Sequence, residues 1–108
     1  MQSVWKQNFY TDGIALRDAI SQMTKEETYG NGLDVFEALI NLIDKARNVT
    51  EEEEEKTRFE VLAQDVKDAK KELEEKENKD LKELMITINF FLNYTYDLFD
   101  EERYWIGV

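Results

Sequence analysis

The segment from Asp80 to Glu102, DLKELMITINFFLNYTYDLFDEE, constrains this chain most, because it reads as a helix that is apolar on more than one side. At helical spacing Leu81, Leu84, Met85, Ile88, Phe91, Leu92, Leu98 and Phe99 share one broad stripe, wider than the usual core-facing stripe of a surface helix. Ile86, Phe90 and Tyr94, spaced by four, form a second row on roughly the opposite side, flanked by Lys82, Glu83, Asn89, Asn93 and Asp97. Two such rows imply either a central place in a bundle or one row buried by a second chain. The central place is the expectation, since helices of one chain have to close a core against each other.

The rest of the chain supplies helices to pack on it. Residues 1–11 contain Trp5, Phe9 and Tyr10 without a clean period and read as an extended arm or a short helix. Thr11 and Asp12 offer an N-cap, after which Leu16, Ala19, Ile20 and Met23 make a helical stripe that runs toward Tyr29. Gly30-Asn31-Gly32 is the strongest punctuation in the chain and predicts a helix end. A second helix over about 33–47 turns Phe36, Leu39, Ile40, Ile43 and Ala46 inward and Glu37, Asn41, Asp44 and Lys45 outward, with Asn48 as its C-terminal cap.

Thr50 followed by Glu53 is a capping-box pattern and predicts a helix start at Thr50, with the Glu51–Glu55 run at the positive end of the helix dipole. From there Phe59, Leu62, Val66, Ala69 and Leu73 follow 3-4-3-4 spacing, a seam for antiparallel packing. That register lapses onto Lys76, Asp80, Glu83 and Thr87, and the apolar pattern restarts at Leu81 in a different phase. With Asp80 and Glu83 forming another capping signature, a turn is expected around Glu77 to Asp80; the runner-up is one unbroken rod, as no glycine or proline interrupts it. Glu52/Lys56, Glu54/Arg58, Glu72/Lys76 and Glu75/Lys79 are i,i+4 pairs on exposed positions. The apolar tail Arg103 to Val108 is expected to be tied down over Trp5 and Phe9. The expected fold is an all-α antiparallel helical bundle of about four helices, one domain over 1–108, with a long C-terminal hairpin on which two shorter N-terminal helices pack.

Composition excludes several chemistries. Cysteine, histidine and proline are absent, so there is no disulfide, no thiolate, no imidazole base and no Glu-x-x-His metal site. The longest charge-free run, Leu84 to Tyr96, is far short of the roughly 20 residues that cross a bilayer, and the start MQSVWKQNFY lacks the basic end and apolar core of a signal peptide. The chain therefore reads as cytoplasmic, without a membrane contact. Net charge is -11, distributed as -2 over residues 1–49, -6 over 50–80 and -3 over 81–108. Such a surface disfavours direct nucleic-acid contact and favours a basic-rimmed protein partner.

Glu51, Glu52, Glu54 and Glu55 repeat at one-turn spacing, and Glu77-Asn78-Lys79-Asp80 precedes an apolar helix. This pattern resembles the paired acidic motifs of the all-α nucleoside triphosphate pyrophosphohydrolases of the MazG type, a resemblance that implies magnesium around a triphosphate. Capping and solvation already account for these acids, and a helix of about 40 Å would separate the two groups. No catalytic residue, metal or cofactor is assigned on that basis. Glu51, Glu52, Glu54, Glu55, Asp65, Asp68 and Glu72 form an acidic surface, which in an alternative reading mimics spaced phosphates and makes the chain an inhibitor of a nucleic-acid-handling protein. The favoured reading is a non-enzymatic interaction module, of the adaptor, immunity or antitoxin, or regulatory-subunit kind. It binds a protein partner, or a second copy as a homodimer, through Ile86, Phe90, Tyr94 and Trp105 framed by acids.

Overall fold

A computed structural model describes residues 4–101, with side chains described for 11–98. Four α-helices follow one another: α1 (Val4–Lys25), α2 (Tyr29–Val49), α3 (Glu53–Glu75) and α4 (Leu81–Glu101), and no strand occurs among the described residues. The all-α bundle is as expected. The N-terminal helices are not shorter than the others, however. Thr11, Asp12 and Gly13 lie inside α1, which begins at Val4, so that of the arm or short helix expected for residues 1–11 the described part is helical and continuous with the stripe that follows. The side chains of Trp5, Phe9 and Tyr10, the side chain of Phe99 and the whole Arg103–Val108 tail, including Trp105, lie outside the described residues.

The boundary between α1 and α2 also moves. The chain breaks at Glu26–Thr28, and Gly30-Asn31-Gly32 forms the first turn of α2 rather than the end of a helix. Thr28 has extended backbone, and its hydroxyl oxygen accepts from the Asn31 backbone N–H at 3.1 Å, while the Asn31 amide nitrogen donates to the Glu26 carbonyl at 2.8 Å. A side-chain cap at Thr28 thus outweighs the low helix propensity of the two glycines. Thr28→Ala is expected to lower stability by about 1 kcal/mol, measured by urea denaturation. The same variant of Thr11, inside the helix, has no such cap to lose.

Thr50 likewise serves the helix before it. Its backbone N–H and its hydroxyl both donate to the Ala46 carbonyl, at 3.1 and 2.6 Å, and the residue is buried as the C-cap of α2. Consequently α3 starts at Glu53 behind Glu52, which makes no side-chain cap bond, and its first-turn acids Glu53, Glu54 and Glu55 stabilise it through the dipole instead.

The expected turn between α3 and α4 is present, over Lys76–Asp80. Asp80 caps α4, its carboxylate accepting from Lys82 N–H at 3.0 Å and more weakly from Glu83 N–H at 3.5 Å. Only half the capping box forms, because the Glu83 carboxylate is engaged by Lys76 Nζ. Lys79 Nζ donates to the Leu73 and Glu74 carbonyls at 3.1 and 2.5 Å, closing the C-terminal end of α3. Lys76 and Lys79 are therefore turned to the hairpin connection and not to Glu72 and Glu75 four residues earlier.

The organising helix is α2, not α4. It packs against all three other helices, and Val35, Phe36, Ala38, Leu39, Ile40, Leu42, Ile43 and Ala46 are all buried. Its exposed residues Asp34, Glu37, Asn41, Lys45 and Asn48 fall within about 80° of one another at 100° per residue, so only a narrow stripe of α2 meets water. Tyr29 against Leu73, Glu37 against Lys70 and Asp44 against Lys67 show that α2 and α3 run antiparallel. Gly32 against Leu84 and Phe36 against Phe91 show that α2 and α4 run parallel. The α3 seam of Phe59, Leu62, Val66 and Leu73 and the α4 stripe of Leu84, Ile88, Phe91 and Leu98 are buried as expected, Ala69 partly. Both are buried chiefly on α2, since α3 and α4 approach each other sparsely.

Candidate functional site

The second row of α4 remains outside this core. Ile86, Phe90 and Tyr94 are 61%, 61% and 54% exposed, so α4 is buried on one side only and the central place expected for it is not observed. The row is nevertheless ordered against itself and the core. The Phe90 ring meets the buried Phe91 edge-on at 5.2 Å between centroids and stacks with Tyr94 at 6.4 Å, while Phe91 meets Phe36 of α2 edge-on at 6.3 Å.

Two sets of contacts fix what surrounds the row. On α4 the buried Leu84, Phe91, Thr95 and Leu98 face the core, and Glu83 reaches Lys76 at the end of α3. Ile86, Phe90 and Tyr94 then lie about 120° from the buried stripe, on the side of Glu83. On α3, Lys67 and Lys70 reach Asp44 and Glu37 of α2 at 3.3 and 3.7 Å, whereas Lys76 faces α4. Asp65 and Glu72 fall within about 40° of Lys76, and Val61 and Asp68 lie about 60–80° from it, toward solvent. Since α3 and α4 run antiparallel from the Lys76–Glu83 contact, the apolar row and these acids flank the outer side of one seam. Val61, 56% exposed, joins that face. Its signal in the sequence was a valine out of phase with the Phe59–Leu73 seam.

Charge on this face is acidic. Of the lysines interleaved with the acids of α3, Lys67 and Lys70 are directed to α2 acids, Lys70 also to Glu74 at 2.7 Å, Lys76 pairs with Glu83 at the seam itself, and Lys71 is exposed further round the helix, beyond Asp68. The Glu74 hydrogen bond raises the Lys70 pKa, and the Glu83 hydrogen bond raises that of Lys76, with Glu72 adding to the pull. Asp65, Asp68 and Glu72 are exposed on the outer side, with Asp68 accepting from the Gln64 amide at 2.9 Å. Glu51, Glu52 and Glu54 are exposed and Glu55 partly so at the other end of α3, away from the row. Ile86, Phe90 and Tyr94 on α4 and Asp65, Asp68 and Glu72 on α3 thus lie on helix faces turned to the same side of the hairpin, with the glutamate run at the far end of α3. Trp105 lies outside the described residues.

The two acidic groups of the magnesium resemblance sit at opposite ends of α3, and Asp80 uses its carboxylate as a helix cap. Among the described residues no group of three or more His, Cys, Asp or Glu side chains is placed to hold a metal ion, and no helix is long and apolar enough to cross a membrane. A half-open groove of about 100 Å³ runs between α1 and α4 over Val35, lined by Ile20, Met23, Met85, Ile88 and Leu92. It has room for one small apolar side chain, being smaller than the roughly 150 Å³ cavities that hold a benzene.

At the base of the bundle Tyr29 ties three elements. Its hydroxyl donates to the Leu73 carbonyl at 2.7 Å, and the Lys79 ammonium sits 5.1 Å above its ring. Burial, then the Glu83 charge, pushes its pKa above the usual phenol value. A phenol whose folded pKa is raised contributes stability below its unfolded pKa of about 10 and loses it as pH rises from there through the folded value. Denaturation at pH 9 and pH 11 is expected to show this loss, and Tyr29→Phe to make the slope shallower; the residual slope belongs to Tyr96, whose pKa burial also raises, and to Lys70 and Lys76, whose pairs are lost in the same direction.

Compared with known proteins, the chain matches no protein-family model, no curated protein and no solved structure.

Proposed function

We propose that this chain is a non-enzymatic interaction module that binds a protein partner through the outer face of the α3–α4 hairpin. The observation that carries the reading is the exposure of three large side chains, Ile86, Phe90 and Tyr94, in one row on a helix whose opposite stripe is buried. A contiguous apolar row rimmed by polar groups is the ordinary form of a protein-binding surface. The aromatic pair Phe90 and Tyr94 supplies its anchors. Acids beside the row speed the encounter with a basic rim and orient it, contributing more to on-rate and specificity than to affinity.

Phe90→Asp is expected to weaken partner capture from native extract by about 30-fold, the scale of a hot-spot residue, with the helical circular-dichroism signal unchanged. Identical captured proteins for the wild type and this variant overturn the reading. A second reading, mimicry of spaced phosphates, is favoured by one observation: Lys67, Lys70 and Lys76 are turned to neighbouring carboxylates, leaving Asp65, Asp68 and Glu72 outward. In that case double-stranded DNA competes with this chain for its captured partner.

A further inference from the structure

Resting on the interaction reading, we infer that the occupant of the α3–α4 face is one basic amphipathic helix of a partner protein, laid along the seam with its apolar stripe on Ile86, Phe90 and Tyr94. The first argument is charge. On its own helix the apolar row runs between Glu83 at its N-terminal end and Asp97 at its C-terminal end, at spacing 83-86-90-94-97, and Asp65 and Glu72 lie on the side of α3 turned toward the same seam. Of the cations here, Lys76 is already paired with Glu83 under the additional pull of Glu72, and Lys82 is exposed one turn before Ile86, so the carboxylates Glu83, Asp97, Asp65 and Glu72 outnumber the cations of the face. Lysine or arginine flanking the apolar stripe of an incoming helix meets carboxylates at both ends and along one side.

The second argument removes the simplest competitor. A second copy docking by two-fold symmetry about Phe90 sets Ile86 over the other copy's Tyr94, but it also sets Glu83 beside Asp97 and joins two chains of net charge -11. Lys82 offsets part of this, but with Glu83 and Asp97 at both ends of so short a row the excess of like charge opposes that dimer. The third argument is extent. The acids from Glu83 to Asp97 span about 21 Å at 1.5 Å per residue, and Ile86 to Tyr94 about 12 Å, so a helix of three to four turns covers the face. Pairing of a single helix with such a row is the helix-in-groove mode of peptide recognition.

The test uses the intact chain and a labelled 15-residue synthetic helix with leucines in one stripe and lysines on its flanks, read by fluorescence anisotropy. A control peptide carries glutamate for each lysine. The lysine peptide is expected to bind, at least tenfold more tightly than the control, and more weakly as salt is raised from about 50 to 300 mM. Phe90→Ser is expected to weaken it tenfold or more without changing net charge. The triple change Asp65→Asn, Asp68→Asn, Glu72→Gln is expected to weaken it about tenfold and to flatten the salt dependence. The charge-matched change Asp18→Asn, Glu26→Gln, Glu27→Gln, on exposed positions of α1 and the following loop, is expected to leave it within twofold. Equal losses from the two triple variants overturn the inference, because binding is then diffuse attraction to an acidic protein. A wild-type dimer in light scattering that tightens with salt and is lost in Phe90→Ser overturns it in favour of a second copy. Failure of the lysine peptide, with capture from extract still dependent on Phe90, overturns the basic helix and leaves the interaction reading standing.

Discussion

Phe36→Ala is expected to cost about 3–5 kcal/mol and Phe90→Ala less than about 1 kcal/mol, although both remove the same side chain from a helix. Phe36 is 1% exposed on α2 and its ring meets Phe91 of α4, so truncation leaves a cavity that the surrounding helices fill only partly. Phe90 is 61% exposed, and its loss forfeits the ring contacts with Phe91 and Tyr94 but opens no cavity. Since single domains are stable by about 5–15 kcal/mol, the first change removes a large share of the total. It corresponds to a fall in Tm of roughly 15–30 °C. Thermal melts of the two variants side by side test which helix is the hub. Comparable losses at both positions place Phe90 in the core and contradict the exposed row.

Gly32→Val is expected to destabilise by about 3 kcal/mol, while Gly30→Ala stabilises by about 0.5–1 kcal/mol. A Cβ at Gly32 clashes with Leu84 Cδ2 and lies only 3.0 Å from Leu84 Cγ and 3.3 Å from Ile88 Cδ1. Leu84 is itself fully buried, so its side chain has to repack within the core or α4 has to shift off α2. Valine, being β-branched, gains only a few tenths of a kcal/mol in helix propensity over glycine, about a tenth of the packing cost. At Gly30 an added Cβ meets nothing within 4 Å, and alanine only reduces the freedom of the unfolded chain. Urea midpoints of the two variants moving in opposite directions bear this out; equal shifts show that the parallel α2–α4 contact is looser than described.

That contact also explains why part of the fold escaped the sequence reading. Gly30-Asn31-Gly32 looked like a helix end because glycine is scored for backbone freedom. At Gly32 its value lies instead in having no side chain, which lets α4 come close. The central role of α2 was present in the sequence as Val35, Ala38 and Leu42 alongside the stripe of Phe36, Leu39, Ile40, Ile43 and Ala46. These side chains are smaller than Phe90 and Tyr94, so the apolar pattern of the sequence is weighted toward α4. Thr50 and Thr28 show the same limit in capping: a hydroxyl between two helices serves whichever backbone end it can reach, and pattern alone does not choose.

What the amino-acid order determined by itself was local. Apolar spacing set the seam of α3 and the two rows of α4, and the phase break with Asp80 set the turn at Lys76–Asp80, because periodicity and capping depend on residues within a turn or two of each other. Only tertiary structure decided which row of α4 is covered, which helix the others share and where the lysines of α3 point. Those outcomes depend on residues distant in sequence, on Gly32 admitting Leu84 and on Asp44, Glu37 and Glu83 drawing Lys67, Lys70 and Lys76. An isolated helix with two apolar sides states that something covers each; which side its own chain covers follows from packing, and here packing leaves Ile86, Phe90 and Tyr94 facing outward.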